Sequence, residues 1–259
     1  MIDSIKKQLL SLECEEDVRI IYACESGSRA WGFPSKDSDY DVRFLYVHPP
    51  DWYFSVDLED KNDVIEKPID GLIDMSGWDL RKALRLLYKS NPPLLEWLNS
   101  PIAYIEKHAA ANRLRCLLPE YYSPTACLYH YLHMARGNYK EYLRGETVWI
   151  KKYFYVLRPL LAIRWIEEGR GIVPMEFETL LAGVDGEQDF KLAVSGLLER
   201  KLKGEELDKG PRIPEISDFI DREMGRLGDK QFERRGPKPP VDGLNEIFRL
   251  CVREAYRAG

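Results

Sequence analysis

The sequence predicts an α+β protein, with a small mixed β-sheet early in the chain and a bundle of helices after it. Three observations support this class. Up to about residue 76, β-branched and aromatic runs alternate with turn residues. Beyond that point apolar residues recur at helical spacing through long segments. The 259 residues, 44% apolar and 31% charged, suit one large domain or two ordinary ones, each with a real core. Segments 1–110 and 111–259 are the expected domains.

The first residues, MIDSIKKQLLSLECEED, read as an amphipathic helix and lack the apolar core and small-residue site of a secretion signal. Asp17 to Cys24 reads as a strand, after which Gly27-Ser28 turns the chain and Arg29 to Phe33 forms a short helix. A polar loop, Phe33 to Ser38, leads to a second strand from Asp39 to Val47, ended by His48-Pro49-Pro50. A third strand, Lys67 to Met75, follows an acidic hairpin-like segment. Ser76-Gly77-Trp78-Asp79 fits a capping box, so a helix is expected to begin at Ser76 with Asp79 reaching back. Leu80, Ala83, Leu84 and Leu87 give that helix its apolar stripe. Asn91-Pro92-Pro93 ends it, and Pro93 suits the first position of the next helix. Further helices are expected over 123–143, 147–168, 187–203, 214–226 and 241–258, with a loop or linker over 230–240.

Composition excludes several classes. Five scattered cysteines with no CxxC pair argue against a zinc site, and their odd number against a full disulfide framework. They read as free thiols in a reducing cytoplasm. The apolar runs are too short to span a bilayer, so no membrane partner is expected. A net charge of -5 leaves no generally basic surface; nucleic acid would have to meet a local patch.

The chemistry points to the acids. Asp39 and Asp41 flank one tyrosine at the start of a strand, so they share a face while Tyr40, Val42 and Phe44 take the other. Two carboxylates this close repel unless a cation stands between them, and magnesium is such a cation. On the third strand Asp70, Leu72 and Asp74 share a face. If that strand lies beside the first acid pair, Asp74 completes a trio able to hold two divalent ions, the arrangement that suits phosphoryl transfer. Asp70 competes for the third place and Glu66 more weakly, because Pro68 interrupts the strand between them. Ahead of the pair, Gly27 permits a tight turn whose amides can hold phosphate, and Ser28, eleven residues before Asp39, adds a hydroxyl donor. Each feature has a bland counterpart: a solvated DxD loop end, or an ordinary strand-to-helix turn.

Gly27-Ser28-Arg29, then Asp39-x-Asp41, then Asp74 resemble the DNA polymerase β-type nucleotidyltransferase superfamily. The stretches Ile73 to Ile102 and Lys151 to Trp165 resemble, more narrowly, the predicted nucleotidyltransferases associated with bacterial RNA repair. The likeness runs from about residue 20 to 181. It implies a polymerase β-like palm lobe followed by a helical lobe, with a nucleoside triphosphate in the cleft between them. It implies that Asp39, Asp41 and Asp74 hold two Mg2+, or Mn2+ in their place, and that Gly27, Ser28 and Arg29 form the phosphate turn. The acceptor it implies is an RNA 3′ end. The alternatives are a toxin-like or antitoxin-like enzyme modifying protein or tRNA, and a catalytically dead binding module.

In the helical half, Lys151, Tyr155 and Arg158 fall at i, i+4 and i+7 on one face, with Lys152 near it and a separate buried stripe of Ile150, Phe154, Leu157 and Leu161. That cationic face can receive a triphosphate and stack a base, or be solvated. Pro159 should bend this helix. His130 and His133 share a helix face without further ligands and read as core or hydrogen-bonded histidines. Asn138, Lys140 and the basic loop Arg234 to Lys238 are lesser candidates for contact with a ligand or RNA phosphates.

Overall fold

The computed structural model describes residues 1–205, 207–233 and 236–257. Two compact units divide the chain. One comprises Met1–Ala30, Asp39–Tyr122 and Pro237–Gly259; the other comprises Trp31–Ser38 and Ser123–Gly236. This differs from consecutive segments 1–110 and 111–259. The first boundary falls after Tyr122, an eight-residue excursion belongs to the second unit, and the C-terminal residues return to the first.

The first unit opens with α1 (Ile2–Glu15) and β1 (Arg19–Ser26), followed by the single turn α2 (Gly27–Ala30). Next come β2 (Tyr40–Val47), the short α3 (Pro50–Tyr53), β3 (Val64–Asp70) and β4 (Ile73–Asp79). Helices α4 (Leu80–Tyr88) and α5 (Pro92–Leu98), strand β5 (Ala103–Glu106) and helix α6 (Ala110–Tyr121) complete its main block. The sheet runs in the order β3-β4-β2-β1-β5. Only β2 and β4 are parallel; every other pair is antiparallel. The sheet and α1 share a core of Ile5, Leu9, Leu12, Val42, Phe44, Tyr46, Ile73 and Met75, because alternate residues of each strand point to the same side.

The expected third strand is in fact a hairpin. Gly71, at φ +60°, turns the chain between β3 and β4. Pro68 and the irregular register around it lie on β3, the edge strand, where a missing N–H costs least. The expected capping box at Ser76 does not form. Ser76, Gly77 and Trp78 stay in β4 because their backbone is paired on both sides, to β2 and to β3. Asp79 itself caps α4, accepting the Arg81 N–H at 2.8 Å. It is buried, with the Tyr53 hydroxyl at 2.6 Å and His48 Nδ1 at 3.1 Å. Asn91 caps α5, so Pro92 rather than Pro93 opens that helix.

The second unit contains α7 (Pro124–Tyr142), β6 (Thr147–Trp149), α8 (Lys152–Glu167), α9 (Phe177–Ala182), α10 (Gln188–Leu202), β7 (Lys209–Pro211) and α11 (Pro214–Arg226). β6 and β7 pair as a small antiparallel ribbon, which takes the expected first turn of the helix over 147–168. Phe33 stacks on Phe154 at 4.8 Å, and Phe190 on Phe219 at 3.9 Å. The final helix, α12 (Asp242–Ala255), belongs to the first unit. There Glu254 pairs with Arg113 on α6 at 2.6 Å, and Phe248 meets the Tyr53 ring at 4.9 Å. No helix among the described residues is long and apolar enough to cross a membrane.

Gly77 stands opposite Phe44 in the β2–β4 register, and a Cβ there would lie 2.1 Å from the Phe44 ring. Gly77→Ala is therefore expected to destabilise the protein by about 1–3 kcal/mol, the usual cost of overpacking. Urea denaturation followed by circular dichroism measures it.

Candidate active site

The parallel pairing of β2 with β4 sets the site. It places Tyr40 beside Ile73, Asp41 beside Asp74 and Arg43 beside Ser76. Neighbouring strands lie ~4.8 Å apart, so the Asp41 and Asp74 side chains rise next to each other from one face. Of the acids competing for the third place, Asp70 and Glu66 are on the edge strand β3, paired with Ile73 and Ser76. Asp74 is the acid that the register brings to Asp41. Asp39 is exposed, one residue before β2.

Arg43 neutralises the pair. Its Nη2 donates to Asp74 Oδ2 at 2.7 Å and lies 3.5 Å from Asp41 Oδ1; its Nη1 donates to the Val42 and Asp74 carbonyls at 3.1 and 3.2 Å. The guanidinium side chain is 19% exposed, so this pairing is partly shielded from water. Sequence reading anticipated a cation between acids but overlooked Arg43. The signal was present: Arg43 lies two residues beyond Asp41, on the same strand face.

The glycine turn is built around Asp41. Gly27 has φ +64°, a conformation that favours glycine. A Cβ on it would lie 2.1 Å from Asp41 Oδ2, so a larger residue would displace the carboxylate as well as strain the turn. Ser26, just before the turn, is the register partner of Asp41 across β1 and β2. Arg29 lays its guanidinium 3.7 Å from the Tyr40 ring centre and donates from Nε to the Asp39 carbonyl at 3.1 Å. It braces the entry to β2.

Behind the site lies Glu25, which is fully buried and was also overlooked. Its Oε1 accepts the Asp41 backbone N–H at 2.8 Å, and the Tyr104 hydroxyl donates to Oε2. Burial pushes its carboxyl up from 4.5 to about 6, against the opposing pull of those two hydrogen bonds.

The donor set fits a hard divalent ion in two respects. Carboxylate oxygens are the ligands magnesium prefers, and a cationic group already stands between Asp41 and Asp74. Among the described residues, however, no group of three or more His, Cys, Asp or Glu side chains is gathered as a metal cluster. The structure joins two of the three expected acids closely and leaves Asp39 at the entry. His130 and His133 belong to no such group, and His133 is exposed rather than in the core.

The remaining candidates lie in the second unit. Lys151 precedes α8 and is exposed, its N–H bonded to the Leu207 carbonyl at 2.9 Å. Lys152 Nζ sits over the Tyr142 and Tyr155 rings at 4.4 and 4.6 Å. Tyr155 is 37% exposed and meets Trp31 edge-on. Arg158 departs from the expected open face: it is buried, with its guanidinium over Trp31 at 5.1 Å and Nη2 3.4 Å from the Pro174 and Met175 carbonyls. The reason is that α8 is buried nearly all round, so its polar stripe is short. Asn138 bonds back to the Met134 carbonyl. In the basic loop, Arg234 and Arg235 lie outside the described residues.

A family model described as RlaP, RNA repair pathway DNA polymerase beta family, matches residues 1–250. The uncharacterized protein YcgL of Bacillus subtilis (strain 168) is 50% identical over 260 residues, covering 100% of this chain and 98% of that protein. A solved nucleotidyltransferase-like protein from Exiguobacterium sibiricum 255-15 aligns with 97% of this chain and 78% of its own, at 13% identity and a TM-score of 0.32.

Glu25 supports a pH prediction. Its folded pKa is raised, so its contribution to stability is full below its unfolded value of 4.5 and is lost as pH rises through about 6. Glu25→Gln carries no titrating group there. In EDTA, the melting temperature of wild type relative to this variant should fall between those two pH values and level off above them. Thermal melts across the range check it.

Proposed function

The chain belongs to the RNA repair pathway DNA polymerase beta family, and we propose that it is a metal-dependent nucleotidyltransferase acting on an RNA 3′ end. In this reading the acceptor hydroxyl oxygen attacks the α-phosphorus of a nucleoside triphosphate. The bond from that phosphorus to the bridging oxygen breaks, and pyrophosphate departs. The observation that carries the proposal is the in-register apposition of Asp41 and Asp74 against the Gly27-Ser28 turn.

Asp41 and Asp74, joined by Asp39, are the residues proposed to hold two Mg2+ or Mn2+ ions. When bound, such ions lower the pKa of an attacking hydroxyl and neutralise charge on the leaving phosphates. Ser28 offers a hydroxyl to a phosphate oxygen. Gly27 keeps the Asp41 carboxylate within contact distance of the turn. Glu25, bonded to the Asp41 N–H, fixes the backbone from which that carboxylate projects. Arg43 is proposed as the resident counter-cation of the ion-free state, one that bound metal would displace. The family's RNA context favours an RNA acceptor over a protein one, and a cytoplasmic setting accords with this role.

Incubation with α-labelled nucleoside triphosphates, Mg2+ and separate RNA and protein pools tests the reaction. Label is expected in RNA bearing a free 3′ hydroxyl; label confined to protein rejects the RNA reading. Asp41→Asn should abolish transfer while the circular dichroism spectrum stays unchanged, and full activity in that variant removes Asp41 from the chemistry. Arg43→Met removes the Arg43 guanidinium from the two facing carboxylates. It should cost about 1–2 kcal/mol in EDTA, and Mn2+ should stabilise it more than it stabilises wild type. Denaturation with and without Mn2+ reads both.

A further inference from the structure

A cavity of about 490 Å³ opens at the end of β2 farther from the paired acids, a volume within the range that holds small ligands. Tyr46, in its lining, and Asp41 stand five residues apart on that strand, on opposite faces and ~16 Å apart along it. The residues lining the cavity all belong to the first unit. Among them Tyr46 is the one fully buried, and its hydroxyl makes no hydrogen bond. A buried hydroxyl ordinarily has a partner, and the cavity gives this one room for it.

The walls favour one sign of charge. Two carboxylates, Glu16 and Glu66, line the cavity against one lysine, Lys61. Glu16 is already paired with Lys67 at 2.6 Å, whereas the Glu66 carboxylate has no hydrogen bond or ion pair among the described residues. Lys61 is engaged as well: its Nζ donates to the Trp52 carbonyl at 3.3 Å and lies 5.0 Å from the Trp52 ring centre. Trp52 stacks on His48 at 3.8 Å, and His48 Nδ1 is 3.1 Å from the buried Asp79 carboxylate, so this wall is held in place. A proton on that imidazole would be balanced by Asp79. Burial, then the charges of Asp79, Asp63 and Glu16, push the Tyr46 pKa upward, so the hydroxyl sits in a negative field. An anion entering here meets Glu66 unopposed. An ammonium can give one N–H to the Tyr46 oxygen and find its counter-charge in Glu66.

We infer that the cavity bounded by Tyr46, Glu66 and the His48–Trp52 wall binds a small organic cation bearing a primary ammonium group. The Tyr46 oxygen accepts one of its N–H groups, and Glu66 supplies the opposite charge. The site is separate from the Asp41–Asp74 pair, and affinity at it does not require the transfer reaction proposed above.

Calorimetric titration of the full chain with putrescine, in EDTA and low salt, tests the site. Wild type should bind it saturably at one site per chain. Tyr46→Phe should weaken binding by about tenfold, as loss of a hydrogen bond to a charged group does. It should melt no lower than wild type, since the hydroxyl it removes has no partner to lose. Glu66→Gln, an exposed change that keeps the side chain's size, should weaken binding by about two- to fivefold. Glu178→Gln, which removes an exposed carboxylate of the second unit, should alter affinity by less than about twofold. Wild-type affinity in either Tyr46→Phe or Glu66→Gln overturns the proposal. Equal weakening in Glu178→Gln and Glu66→Gln also overturns it, in favour of diffuse attraction to an acidic chain. So does saturable binding of inorganic phosphate in place of putrescine, or no putrescine binding up to about 10 mM. A lower melting temperature for Tyr46→Phe overturns it too, because the hydroxyl would then already be partnered within the protein. Asp41→Asn should retain putrescine affinity. Loss of the transferase reading would then leave this site standing, and loss of this site would leave that reading untouched.

Discussion

Electrostatic repulsion between Asp41 and Asp74 is the constraint around which the first unit is arranged. The one parallel pairing in the sheet sets these carboxylates side by side. Left alone they would destabilise the strands that carry them. Arg43 relieves the repulsion from the same face, one pleat farther along β2. The same arrangement is what a metal-binding phosphoryl-transfer site needs: acids too close to remain unneutralised, on a rigid support. Mobile loops could relax the acids apart; paired strands cannot.

Close approach reinforces that rigidity. Gly27 presses its backbone against the Asp41 carboxylate, while Gly77 leaves room for Phe44 on the opposite side of the sheet. Glu25 ties the Asp41 N–H from within the core. Burying an acid there costs stability at neutral pH, visible in its raised pKa. In return, the strand end has a fixed hydrogen-bond partner where an antiparallel ladder would otherwise fray. Asp79 does comparable work at the far end of β4, capping α4 while it holds Tyr53 and His48. The β2–β4 pair is thus anchored at both of its ends.

The second unit follows a different logic. Its central helix, α8, is surrounded by apolar contacts, so its cations either leave for the surface, as Lys151 does, or become buried, as Arg158 does. Arg158 finds an aromatic ring and carbonyl oxygens. Lys201, also buried, has the Phe33 ring centre 5.8 Å from its ammonium.

Local chemistry made much of this legible in the sequence. Period-two and period-3.6 patterns marked β1, β2 and most helices, because burial of one face imposes those periods. The Gly27-Ser28 turn and the Asp39-x-Asp41 pair were visible as residue types at fixed spacing, and they carried the family resemblance that the family match bears out. Other features depended on partners distant in the chain. The hairpin at Gly71 and the extension of β4 through Ser76 arise from pairing on both sides, which outweighed a plausible local cap. The pairing of Asp74, rather than Asp70, with Asp41, the placement of Arg43 between two acids, the bond from Glu25 to Asp41 and the burial of Arg158 and Lys201 follow from strand register and three-dimensional packing. Sequence alone determined which groups were present and which local conformations they favoured. Only tertiary structure decided which of them meet, because a charge's environment is set by atoms tens of residues away.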